Sequence, residues 1–326
     1  MRRRDLLTAG AMALLTYRRA LAETGRRYRV GAIWSAPRGP TYLAFNRRLA
    51  ELGYVEGDNI ILDARAHEGR LERLPALAAE LVRLQPDVIV AGGAEAVLKA
   101  IVSETSSIPI VMAAYDYDPV ALGYVAGLPR PGGQVTGVFL RQIELTAKRV
   151  ELLKEALPEL TGIAVFADAF TPGTSDQMRA AETAARQLQL KLQPVLLPGA
   201  PPYDFAAAIE AARRHGAGAV LALMSPALFL DRLRFVQEVS RQRMPSSFGL
   251  REFADAGGLL SYGASIEAMA ALVADYVGRI LKGAKPADLP IQQPTKFELI
   301  INLKTAKALD LSMPQSILAR ADEVIE

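Results

Sequence analysis

Reactive groups are scarce in this 326-residue chain, and their scarcity is the first guide to its chemistry. No cysteine is present, which excludes thiolate zinc sites, iron–sulfur ligation, structural disulfides and cysteine nucleophiles. The only histidines, His67 and His215, stand far apart in the chain and outside every loop singled out below. General acid–base work at neutral pH therefore lacks its usual agent. The sequence contains no Gly-x-Ser-x-Gly elbow, no phosphate loop ending in Gly-Lys-Ser/Thr and no His-Glu-x-x-His. Gly216-Ala217-Gly218 follows a helical stretch and precedes a strand, the reverse of the order dinucleotide binding needs. The expectation is a protein that is not an enzyme and carries neither metal nor cofactor.

The polar and aromatic residues that remain suit the gripping of a small molecule. Trp34 and Ser35 end an apolar run, and this lone tryptophan reads either as a core anchor or as a ligand platform. Gly93, Ala94 and Glu95 open a helix, where glycine lets a ligand approach the backbone and free N–H groups favour an anion. Glu95 in that first turn either complements the helix dipole or meets the ligand. Asp116 and Tyr117 precede Asp118-Pro119, which reads as a helix cap and leaves Asp116 to pair with a ligand ammonium. Asp168, Thr174, Ser175, Met224 and Ser225 occupy the equivalent loops of the second half. Arg251 offers a fork for a carboxylate, or else pairs at the surface with Glu252.

Such residues act together only if a fold gathers them. From Tyr28 the chain alternates short Val/Ile-rich runs with amphipathic stretches: strands at 28–34, 59–66, 87–91 and 108–113, helices at 42–52, 71–84 and 94–104. This pattern predicts a parallel sheet covered on both faces. The Pro/Gly-rich stretch 128–134 predicts a boundary, after which a second alternation runs to the C-terminus. Two Rossmann-like α/β lobes joined in mid-chain enclose a cleft, and in open parallel sheets ligands sit beyond the carboxyl ends of the strands. Every residue named above lies in such a position.

Charge separates the front end from the body. Residues 1–22 carry five arginines against Asp5, and the rest holds 33 basic and 34 acidic residues. A body so balanced gives no electrostatic reason to expect nucleic acid. Arg2-Arg3-Arg4-Asp5-Leu6-Leu7, an apolar run to Thr16 and Ala20-Leu21-Ala22 follow the order of an export signal cleaved near Ala22, with a twin-arginine-like opening. The run is too short to span a bilayer, so a protein exported to the periplasm is expected.

Several long stretches, in order, resemble the extracytoplasmic substrate-binding proteins of ABC transporters, in the group of tryptophan and tyrosine binders. They include Glu51-Leu52-Gly53-Tyr54-Val55-Glu56-Gly57-Asp58-Asn59-Ile60, Pro86-Asp87-Val88-Ile89-Val90-Ala91-Gly92-Gly93 and Gly249-Leu250-Arg251-Glu252-Phe253. Pro294-Thr295-Lys296-Phe297-Glu298 continues the match. The resemblance implies a type I periplasmic-binding fold with three crossings between lobes, the first lobe formed by 28–138 and about 262–286, the second by 139–261 and about 287–326. It implies a monomer that delivers a small solute to an ABC permease in the inner membrane, without cofactor or nucleic acid. It places Ser35, Gly93, Asp116, Asp168, Ser175, Ser225 and Arg251 at the cleft. Beside this, aromatic walls from Trp34, Tyr117, Phe139 or Tyr262 are expected to supply the contact area for a small solute. Ala94-Glu95 departs from the family's small hydroxyl residue and proline, and Tyr117 from its glycine. Three rivals are a fold-related transcription regulator, a two-lobed transferase and a protein presenting its ligand to a membrane sensor. The first wants a DNA-reading domain where the signal stands, and the second wants phosphate loops.

Overall fold

The computed structural model describes residues 27–326 except 116, 141, 169, 170, 172, 199–201 and 295. The expected export signal lies outside these residues, as does Asp116.

Along strand β1 (Tyr28–Trp34), Val30, Ala32 and Trp34 enter one apolar core while Ile33 enters another, so both faces of the strand are covered. The same double burial marks β3 (Val88–Gly93), β4 (Ile110–Tyr115) and β5 (Val135–Leu140). With β2 (Ile60–Ala66) they form a parallel sheet of order β2-β1-β3-β4-β5. One face carries α1 (Pro40–Glu51), and the other α2 (Leu74–Arg83) and α3 (Glu95–Glu104). Short parallel strands joined by helices force this arrangement, because each crossover must return over a face of the sheet.

The second sheet has the order β12-β11-β10-β9-β8-β6-β7. Its strands are β6 (Gly162–Asp168), β7 (Lys191–Leu197), β8 (Ala219–Ala222), β9 (Ser246–Phe248), β10 (Leu260–Ala264), β11 (Phe297–Asn302) and β12 (Glu323–Ile325). Only the β10–β11 pair is antiparallel. Helices α4 (Gln142–Ala156), α5 (Thr174–Gln187), α6 (Phe205–Arg214), α7 (Pro226–Leu230), α8 (Arg232–Arg241) and α9 (Arg251–Asp255) follow in chain order.

The chain then returns. Helix α10 (Ile266–Leu281) follows β10 of the second sheet, yet its buried face joins the core of the first. Arg48 of α1 pairs with Asp275 of α10 at 2.9 Å, and Tyr54 donates to the Gly278 carbonyl at 3.4 Å. After α10, Gln292 bridges to Val138 and Ile291 N–H reaches the Leu128 carbonyl at 2.7 Å, before β11 re-enters the second sheet.

These registers differ in detail from the sequence reading. The Pro/Gly stretch 128–134 is not the crossing, because it leads into β5, a fifth strand of the first sheet. Phe139 and Leu140 thus stay with the first sheet, Tyr262 to Ala264 belong to the second, and 289–292 return to the first. Asp118 does accept the Val120 and Ala121 N–H groups, at 2.9 and 3.1 Å, but caps a set of turns and not a helix. No helix among the described residues is long and apolar enough to cross a membrane.

Candidate ligand-binding cleft

A pocket of about 60 Å3 opens beyond the carboxyl ends of the first-sheet strands. Trp34, Ser35 and Ala36 come from the end of β1, and Gly39, Thr41 and Tyr42 from the loop and first turn of α1. Gly92 and Gly93 end β3, and Tyr115 ends β4. The second lobe contributes Phe229 of α7.

The glycine pair has two separate causes. Gly92 lies under the six-membered ring of Trp34, whose Cε3 and Cζ3 occupy the space any Cβ would need. Gly93 holds a φ of 111°, open to glycine but not readily to other residues. Trp34 is 5% exposed, tilts against Phe45 at 5.7 Å between centroids, and keeps its indole N–H without a partner among the described residues. The alternatives left open by sequence merge here: Trp34 is a core anchor whose edge is also a pocket wall.

Phe229 is fixed from behind. The Arg232 guanidinium lies 4.7 Å from its ring centroid and donates to its carbonyl at 3.0 Å. The Phe253 ring stands 6.4 Å away, edge on. Burial pushes the Glu252 carboxyl up from its usual range, while the charges of Arg232 and Arg251 oppose that rise.

Of the residues expected at the site, Trp34, Ser35 and Gly93 line this pocket. Ala94 is the extended N-cap of α3, and Glu95 in the first turn accepts a hydrogen bond from Tyr124. Tyr117 is buried in the core with its hydroxyl unpartnered, its pKa raised by burial and by the neighbouring Tyr124 and Glu95. Burial and the Glu95 bond also raise the Tyr124 hydroxyl. Phe139 is a core residue of β5, 3% exposed, and not a cleft wall, because it faces the α2–α3 side of the sheet.

In the second lobe, local duties occupy the polar residues. Asp168 accepts from the Thr171 N–H at 2.6 Å and its hydroxyl at 2.7 Å. Ser225 caps α7 by accepting from Leu228 N–H at 3.0 Å. Met224 N–H donates to Gln177 at 3.3 Å, Thr174 is buried at the start of α5, and Ser175 beside it is exposed. Arg251 does not reach the pocket: it pairs with Glu323 of β12 and with Asp255, so its surface partner is not Glu252. Tyr262 lies between the two lobes, touching a core of each.

Sequence reading passed over Tyr42, Tyr115 and Phe229, and also Arg149 of α4. Arg149 is fully buried, donates from Nε to the Tyr262 carbonyl at 2.8 Å, and lies against Gly249, where a Cβ would come within 2.8 Å of its Cζ. Position within the first turn of α7 was the available signal for Phe229. An arginine inside an amphipathic helix has none. Among the described residues no cluster of three or more metal-ligating side chains occurs.

The family model described as ABC transporter substrate binding protein matches residues 40–325. The chain belongs to this family. A tyrosine-binding protein of Clostridioides difficile is 25% identical over 270 residues, covering 82% of this chain and 75% of its relative. Two solved structures share the fold of this family member, the type I periplasmic-binding fold. A conserved domain protein of Vibrio cholerae has 26% identity and a TM-score of 0.79. An ABC domain from Streptococcus pneumonia, in complex with L-Trp, has 24% identity and a TM-score of 0.80. Each covers 92% of this chain and 100% of its own.

Proposed function

We propose that this substrate-binding protein works outside the cytoplasm, in the periplasm, as the capture component of an ABC import system. A small organic solute, an amino acid or an aromatic or carboxylate compound, enters between the lobes and is handed to a permease in the inner membrane. The observation that carries the reading is the pocket itself. It lies at the carboxyl ends of parallel strands, draws on both lobes, and presents aromatic rings with a few polar edges.

Closure is the mechanism. The pocket holds about 60 Å3, well below the roughly 150 Å3 of a cavity that takes benzene, which supports entry of a ring with the lobes parted. Ligand held by the first lobe then offers contacts to the second, and that difference in affinity shifts the equilibrium toward the closed form. Micromolar capture asks for about −8 kcal/mol, within reach of buried rings and a few charge-assisted hydrogen bonds. Proton transfer and covalent chemistry have no part in it.

Calorimetric titration of the protein with amino acids and aromatic acids tests the reading. Heat of binding, with a smaller scattering radius on addition of the same solute, is expected. Absence of both across the panel overturns it. Presentation of the ligand to a membrane sensor uses the same cleft, and deletion of a neighbouring permease with uptake measured separates the two uses.

A further inference from the structure

We propose that Phe229 is the residue through which the second lobe reads the ligand, by closing a ring-shaped slot against Trp34, and that Arg232 is its positioning residue. This rests on the solute-binding reading above and narrows the solute to one that carries a flat aromatic ring.

Four observations converge on it. First, Phe229 is half-buried, and it is the second lobe's one contribution to the pocket among the described residues. Second, one face of its ring is taken: Arg232 sits over it at 4.7 Å and holds its carbonyl at 3.0 Å, with Phe253 at the edge. A ring braced on one side presents its free face at little further entropic cost, as a stacking partner should. Third, the Trp34 indole lies on Gly92, where no side chain competes for the space, and is backed by Phe45. It is therefore as immobile as Phe229. Fourth, the Trp34 N–H is buried and unpartnered among the described residues, so the tryptophan of this wall keeps a donor that the protein leaves unused. A ligand carboxylate or carbonyl that reaches this donor recovers the cost of leaving it unpaired.

The test compares L-tyrosine, L-phenylalanine and L-leucine, which share the same charged groups and differ in the ring. Binding is followed by calorimetry and by emission of Trp34, the one tryptophan in the chain. Phe229→Ala is expected to weaken the two aromatic ligands about 10-fold or more and leucine about twofold, from loss of stacking and buried ring area. Phe229→Leu, which preserves packing against α8, should give the same loss of preference. Arg232→Met should weaken the aromatic ligands several-fold and restore mobility to the Phe229 ring, read as broadened ring resonances. An unchanged aromatic-to-leucine ratio in both Phe229 variants overturns the inference while the solute-binding reading stands. Tighter aromatic binding in Phe229→Ala overturns it too, since the ring would then be a plug. If none of the three ligands, nor any wider set of amino acids and aromatic acids, binds the unaltered protein, the underlying reading fails as well.

Discussion

Single residues in this protein are constrained by what already fills the space around them. Gly92 is the clearest case, because a methyl group there collides with the Trp34 ring. Gly92→Ala should shift the emission of Trp34 without ligand, weaken solute binding and lower stability by about 1–3 kcal/mol, an overpacking cost read by chemical denaturation. His67 is a second case. It is 3% exposed with Nδ1 unpartnered, and burial, aided by the charge of Arg73, holds its pKa below 6.5. The unfolded chain therefore binds a proton that the folded one refuses, so stability is present at neutral pH and is lost as pH falls through 6.5. His67→Gln should flatten the decline of unfolding free energy between about pH 7 and pH 5, and a decline of unchanged slope would contradict it. The same scale limited what the sequence disclosed. Trp34 and Gly93 were expected at the cleft because they end strands, and both line the pocket, whereas Phe139, expected as an aromatic wall, lies in the core. Which face of a terminal residue meets the cleft is set by packing against helices, which spacing alone does not reveal.

At the scale of elements, the alternation of apolar runs and amphipathic stretches made most of the first lobe readable. Strand β1 has the bounds the sequence reading gave it, since Trp34 is followed by turn residues. Two strands were missed: β5, which follows the Pro/Gly stretch read as a boundary, and β12, which has only three residues. Where elements pass between lobes, three meet: α4 follows the first passage, Tyr262 precedes the second, and Phe297 begins the strand after the third. Arg149 holds the Tyr262 carbonyl, and the Tyr262 and Phe297 rings stand 6.3 Å apart. Removing that charged donor by Arg149→Met should cost about 1.5–3 kcal/mol, the usual worth of a hydrogen bond from a charged group. It should also change the scattering radius of the ligand-free protein. A variant with wild-type stability and radius would show that the passage is held elsewhere.

For the whole molecule, two sheets are packed by four apolar cores, two to each sheet, and the proposed closure moves one sheet's lobe against the other. Because a ligand shared by both lobes binds only the folded protein, it should stabilise by an amount that rises with the logarithm of its concentration above Kd. At a concentration about 100 times its Kd the gain is about 2.7 kcal/mol, seen as a rise in Tm. A solute that binds by calorimetry yet leaves Tm unmoved would point to a site outside the cleft.

The return of α10 to the first sheet has a consequence for biosynthesis. A ribosome makes 27–140 long before 266–281, so the nascent strands bearing Val30, Ala32 and Val90 have only α1 on that face, and the part that α10 packs against stays uncovered until most of the polypeptide has emerged. Maturation of the amino-terminal half is thus postponed to near the end of translation. A fragment stopping at 140 should be recovered as aggregate unless α10 is supplied in trans.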